Sequence, residues 1–172
     1  SVDGGLVAAA ARGAGEGGFV EVTAGETLTL SGQAQIVAET GGTGDAGFVT
    51  VSAGEVLEIR EDARVFAGTE PELAGAEPSA VAGAGGDLFL GAPLIAIDGT
   101  AGGLGRAAVS VETAPFVEGG IAGDAGAITL EGGEITLRAT DVSAESRASG
   151  GGQISIRASE LYRQSAARVV SS

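Results

Sequence analysis

Residues 18–40 read GFVEVTAGETLTLSGQAQIVAET, and residues 47–69 read GFVTVSAGEVLEIREDARVFAGT. The two stretches lie 29 residues apart, and 11 of their 23 positions are identical. In the first copy the apolar residues alternate as Val20, Val22, Ala24, then Leu28, Leu30, then Ala34, Ile36, Ala38. In the second they alternate as Val49, Val51, Ala53, then Leu57, Ile59, then Ala63, Val65, Ala67. A period of two places every second side chain on one face of an extended chain, so each copy predicts three short strands with one face buried.

The pattern continues toward the C-terminus. From Gly86 come Leu88, Leu90 and Ala92, then Ile95 and Ile97, then Ala107, Val109 and Val111. From Gly126 come Ile128 and Leu130, then Ile135 and Leu137, then a third strand, slipped in register, near Val142 and Ala144. From Gly152 come Ile154, Ile156 and Ala158, then Leu161, then Ala167, Val169 and Ser171, with Arg163 where the pattern calls for an apolar residue. In these three copies the second strand starts one residue earlier than in the first two.

Repeats of three alternating strands, with no helical segment between them, predict an all-β, right-handed parallel β-helix. It would have about five coils, beginning near Gly18, Gly47, Gly86, Gly126 and Gly152. Val20, Val49, Leu88, Ile128 and Ile154 should form one inward stack. At about 4.8 Å per strand, five coils span roughly 24 Å. Glycine at the corners is expected to let the backbone turn sharply. An antiparallel sandwich would show hairpin turns, but the only Asp-Gly pairs are Asp3-Gly4 and Asp98-Gly99, and there is no Asn. The whole of 1–172 is expected to be a single domain, part of a longer rod, with insertions at 70–83, 98–106 and 114–122 where recognition loops would sit.

The repeats resemble those of the filamentous haemagglutinin family, the large exoproteins of bacterial two-partner secretion. The likeness rests on Gly44-Asp45-Ala46-Gly47 before Phe48-Val49-Thr50-Val51, and on Gly123-Asp124-Ala125-Gly126 before Ala127-Ile128-Thr129-Leu130. It also rests on the form L-x-L-x-x-x-A-x-I-x-A-x-T from Leu28 to Thr40, and it covers residues 15–172. The resemblance implies a secreted or cell-surface adhesive rod. The family's secretion domain carries Asn-rich motifs that this chain lacks, so the resemblance is to a stretch of shaft. A chain that starts at Ser1 with no leader pattern reads as an excised piece of something longer.

Composition narrows the function. No Cys and no His means no disulfide, no thiolate nucleophile, no Cys-based zinc site, no imidazole base and no imidazole to serve as the commonest transition-metal ligand. Nine Arg against 23 Asp and Glu leave a net charge of −14, which repels nucleic acid and anionic lipid. No apolar run approaches the roughly 18 residues a spanning helix needs, so no membrane insertion is expected.

Glycoside chemistry needs two facing carboxylates, and the candidate pairs are Glu131 with Glu134 and Glu61 with Asp62. They read as solvated corner residues, since acids are spread through all repeats and do not converge on Tyr162, the single Tyr. Gly41-Gly42-Thr43-Gly44-Asp45 is similar to a calcium-binding Gly-Asp loop, but lacks the tandem nonapeptides that would share an ion. Gly13-Ala14-Gly15-Glu16-Gly17-Gly18 matches G-x-G-x-x-G but precedes a strand rather than opening a helix, so it reads as a corner.

No catalytic, cofactor-binding or metal residue is therefore expected, and no enzyme. The expected partners are the rest of a longer chain or other protomers, joined end to end through uncapped strand edges. A glycan or cell-surface receptor would meet the loops. A carbohydrate-active β-helix and an extracellular filament subunit are the alternatives. Phe19 and Phe48, at one position in adjacent repeats, read either as an exposed aromatic patch or as a pair packed beneath a neighbouring loop, and packing is the reading preferred.

Overall fold

The computed structural model describes residues 1–11, 15–69, 81–101, 107–114 and 120–172. The described residues are all-β with no helix. Fourteen strands follow in order: β1 Val2–Asp3, β2 Leu6–Ala11, β3 Val20–Ala24, β4 Thr27–Ser31, β5 Gln35–Thr40, β6 Val49–Ala53 and β7 Val56–Arg60. They continue as β8 Arg64–Thr69, β9 Leu88–Asp98, β10 Ala107–Thr113, β11 Ala127–Arg138, β12 Thr140–Ser146, β13 Gln153–Ser165 and β14 Arg168–Ser171.

They form two sheets in which every pairing is parallel. One has eight strands in the order β1-β4-β7-β9-β11-β13, with β3 and β6 joined alongside through β6 and β9. The other has six, in the order β14-β12-β10-β8-β5-β2.

The register is that of the repeats. Val20 pairs with Val49, Val49 with Leu88, Leu88 with Ile128, and Ile128 with Ile154. A second column runs Leu28, Leu57, Ile95, Ile135, and a third runs Val7, Ile36, Val65, Val109, Val142, Val169. These columns meet in one apolar core between the sheets. Like side chains stack on like because each repeat offers the same residue type at the same pleat, which fixes register strongly when one face is buried.

Four features differ from the sequence reading. First, residues 1–11 add a further repeat below the first: β1 lies beside β4 and β2 beside β5, so the third strand position is filled six times, not five. Second, three separate strands per repeat hold only for the first two. Afterwards the first and second strands run on as β9, β11 and β13. Ala92 and Ile95 are three steps apart, where Ala24 and Leu28 are four, and the shorter link leaves no separate corner.

Third, β12 is not slipped: Val109 pairs with Val142 and Val111 with Ala144. Fourth, Arg163 does not occupy an inward slot. Ser159 and Glu160 stand opposite the single Gly133, a bulge that shifts the strand by one residue. Tyr162 and Gln164 therefore register with Ile135 and Leu137, while Arg163 registers with Thr136.

The repeated glycines also act differently from expectation. Among the described glycines only Gly4 and Gly32 have positive φ. The anchor glycines instead form a column in which the backbones nearly touch. A Cβ on Gly47 would collide with the carbonyl oxygen of Gly18, one on Gly86 with that of Gly47, one on Gly126 with that of Gly86, and one on Gly152 with that of Gly126. Glycine is needed there for close approach, not for a turn.

Tyr162 and Gln164 put polar groups over the second column. The Tyr162 hydroxyl donates to Gln164 Oε1 at 2.8 Å, and Gln164 Nε2 donates to the Ala167 carbonyl at 2.9 Å. Ile135 and Leu137 beneath are fully buried. Burial pushes the Tyr162 phenol above its ordinary pKa. A folded pKa raised above the unfolded one favours the neutral phenol. The stabilisation is thus complete below about pH 10 and is lost as pH rises beyond it. With no Lys, no Cys and no other Tyr, Tyr162 is the only side chain titrating there. Hydrogen exchange in β13 should therefore accelerate between about pH 9 and 11 beyond the intrinsic base-catalysed rate. Tyr162→Phe should abolish the excess, and an unchanged excess would refute the contact.

Candidate functional site

Of the candidate acids, Glu61 is used by the framework. Glu61 sits in the turn between β7 and β8 at φ 60°, and its Oε2 accepts the Gly32 amide at 2.7 Å. That bond ties the turn to the equivalent one in the repeat below, where Gly32 itself has φ 62°. Asp62 follows in the same turn. Glu131 points outward and faces Arg157 of the next strand at 3.8 Å, while Glu134 follows the bulge, registering with Leu94 and Leu161. Neither pair converges on Tyr162, which belongs to the last repeat.

The Gly-Asp corners repeat one device. Asp45 Oδ1 accepts the Ala84 amide at 2.8 Å, and Asp87 Oδ1 accepts the Ala127 amide at 2.8 Å. Asp124 Oδ1 accepts the Gly150 amide at 3.0 Å and the Ser149 hydroxyl. Each carboxylate thus ties its corner to the next repeat. The Ser149 and Gly150 donors hold the Asp124 carboxyl below its ordinary pKa. Among the described residues no group of three or more acids is placed to hold a metal ion.

The Gly13–Gly18 run lies partly outside the described residues. Its described part leads into β3, and the Gly17 amide donates to the Asp45 carbonyl at 2.7 Å, as a corner would. Most of the three insertions, residues 70–80, 102–106 and 115–119, also lie outside the described residues. Of their described parts, Asp98 belongs to β9, and Val81 forms a parallel bridge with Ile121.

Among the described residues, no loop covers Phe19 and Phe48. Their rings stack on each other, with centroids 5.3 Å apart and planes inclined by 13°, and they are 62% and 50% exposed. Stacking follows from the parallel register, which sets equivalent side chains one strand apart.

The outward face beside this pair is not flat. One hollow of about 260 Å³ lies between Phe48 and Phe89 and includes Thr50, Asp87 and Thr129. Another of about 570 Å³ is lined by Ser52, Phe89, Gly91, Pro93, Glu131 and Arg157. Phe89 borders both. The lining was readable in part: Phe89 stands where Thr50 and Thr129 stand in neighbouring repeats, and Gly91 where Ser52 and Glu131 do. That Gly91 makes room for the Phe89 ring was not readable. A Cβ at Gly91 would lie 2.7 Å from Phe89 Cε1.

No family model, no curated protein and no solved structure matches this chain.

Proposed function

We propose that the two parallel sheets are the faces of a right-handed parallel β-helix of stacked coils, and that the chain is a non-enzymatic shaft segment of a secreted or cell-surface bacterial exoprotein. Its mechanism is mechanical. Stacked repeats carry loops or further domains away from the cell, and neighbouring rods or the rest of a longer chain meet its ends.

The observation that carries this reading is the continuous register. One inward column runs through all six repeats and two others through four or five of them, and corner carboxylates, close-packed glycines and backbone bonds fasten repeat to repeat. Glu61, Asp45, Asp87 and Asp124 are thereby engaged in joining repeats. Right-handedness is the sense that parallel crossovers take.

The test joins solution shape, association and exchange. The chain should scatter as a rod and associate as salt screens its net charge of −14. Amides of β6, β7 and β8, which have neighbours on both sides, should outlast those of β1, β2 and β14. A strictly monomeric species at every salt concentration, with terminal strands as protected as inner ones, would overturn the end-to-end reading. Release of reducing sugar from a polysaccharide would overturn the non-enzymatic one.

A further inference from the structure

We infer that the outward face of the eight-stranded sheet, from Phe48 across Phe89 to Arg157, is a binding surface for a neutral, linear glycan. The inference stands apart from the shaft reading and rests on the chemistry of this face alone.

Register brings the parts together. Thr50, Phe89, Thr129 and Ser155 occupy one outward row, and Ser52, Gly91, Glu131 and Arg157 occupy the next. The hollow beside Phe48 and the hollow beside Arg157 share Phe89, so they lie on either side of it on one face that crosses several strands.

Phe89 is half-buried and packs beside Gly91, where a Cβ would approach Cε1 to 2.7 Å and Cζ to 3.0 Å, so the missing side chain at Gly91 makes room for the ring. The stacked Phe19 and Phe48 rings extend the aromatic surface at one end of this face. Exposed aromatic rings grouped on one face are costly in water and mark a contact surface.

Next to these rings stand hydroxyls and an exposed ion pair. Thr23 and Ser52 share a hydrogen bond at 3.1 Å. Arg157 and Glu131, 69% and 57% exposed in their side chains, meet at 3.8 Å and keep donors and acceptors directed to solvent. A sugar ring has a C–H face that stacks on an aromatic ring, and a rim of hydroxyls that both donate and accept. This face offers both complements. An apolar peptide would leave the Ser, Thr, Glu and Arg groups without partners. Net charge selects among glycans, because a chain at −14 repels uronate and sulfate polymers.

The test is affinity electrophoresis through gels containing soluble β-glucan, xylan or galactomannan, with polygalacturonate and heparin as acidic counterparts. At least one neutral glycan should retard the protein, and neither acidic polymer should. Phe89→Ala and Arg157→Ala should each weaken retardation about tenfold, with the far-ultraviolet circular dichroism spectrum unchanged. Should Phe89→Ala fail to fold, Arg157→Ala and Glu131→Gln carry the test, since both side chains are exposed. The inference is overturned if no neutral glycan retards the protein, if wild type and variants are retarded equally, or if an acidic polymer binds more tightly. It is likewise overturned if Phe48→Ala and Phe89→Ala alter only self-association in light scattering, which would make the patch a contact between copies. None of these results bears on the rod shape or salt dependence that test the shaft.

Discussion

Leu57→Asp is expected to cost about 4 kcal/mol or more and to leave little folded protein at moderate temperature. Leu57 is fully buried in β7, between Leu28 of β4 and Ile95 of β9. Asp there removes the apolar contacts on both sides and buries a carboxylate with no donor in the column. Nor can the strand evade the cost by slipping one residue, because a slip would turn Ile59 outward and Glu58 and Arg60 inward. The control is the next residue. Glu58 faces outward, where it accepts from Thr29 at 3.2 Å and pairs with Arg60 at 2.5 Å. Glu58→Ala should cost under about 1 kcal/mol, since exposed ion pairs contribute little. Thermal unfolding of the two variants decides the matter, and equal midpoints would mean that the inward columns do not hold the fold.

Gly47→Ala is expected to cost about 3 kcal/mol, an unusual penalty for adding one methyl group. The new Cβ would strike the Gly18 carbonyl oxygen and approach the Gly17 carbonyl carbon to 2.9 Å. Both are backbone atoms of the adjacent repeat, and no side-chain rotation relieves the clash. The repeats must part locally, weakening the bonds from the Gly17 amide to the Asp45 carbonyl and from the Val20 amide to the Phe48 carbonyl. Gly25→Ala is the matched control, since a Cβ there meets nothing within 4 Å. The Gly47 variant should melt about 10 °C below the Gly25 variant, which should match wild type. Equal melting would show that the glycine column tolerates wider spacing.

The candidate binding surface was legible only in fragments. Phe48 and Phe89 stand at outward positions of the alternating pattern, and Arg157 follows Ile156 on the outward face of its strand. Their assembly into one surface depends on which residues of different repeats lie side by side. The third and fourth repeats are separated from their predecessors by 39 and 40 residues rather than 29, so the offset alone does not set that alignment. Likewise Val37 and Phe66 fall on the outward side of β5 and β8, yet they are 3% and 1% exposed. The guanidinium of Arg64 lies 4.0 Å over the Phe66 ring, a contact between residues two apart that alternation marks only as same-faced.

By itself, the sequence determined which residues of β3 to β12 form the inward columns and that the copies from Gly18, Gly47, Gly86, Gly126 and Gly152 are equivalent. Both follow from local rules: strand side chains alternate with period two, and recurrence at 29 residues makes Val20 and Val49, or Leu28 and Leu57, chemically interchangeable. Tertiary structure alone decided the contacts between backbones and at bulges. The glycines at 47, 86, 126 and 152 are required by the carbonyl of a neighbouring repeat, a constraint that leaves no trace in local φ preference. The one-residue bulge opposite Gly133 moves Tyr162 over Ile135, and residues 1–11 join as a further repeat because the edges of β4 and β5 are there to receive them. In each case the deciding interaction runs between strands about 4.8 Å apart in space but a whole repeat apart along the chain.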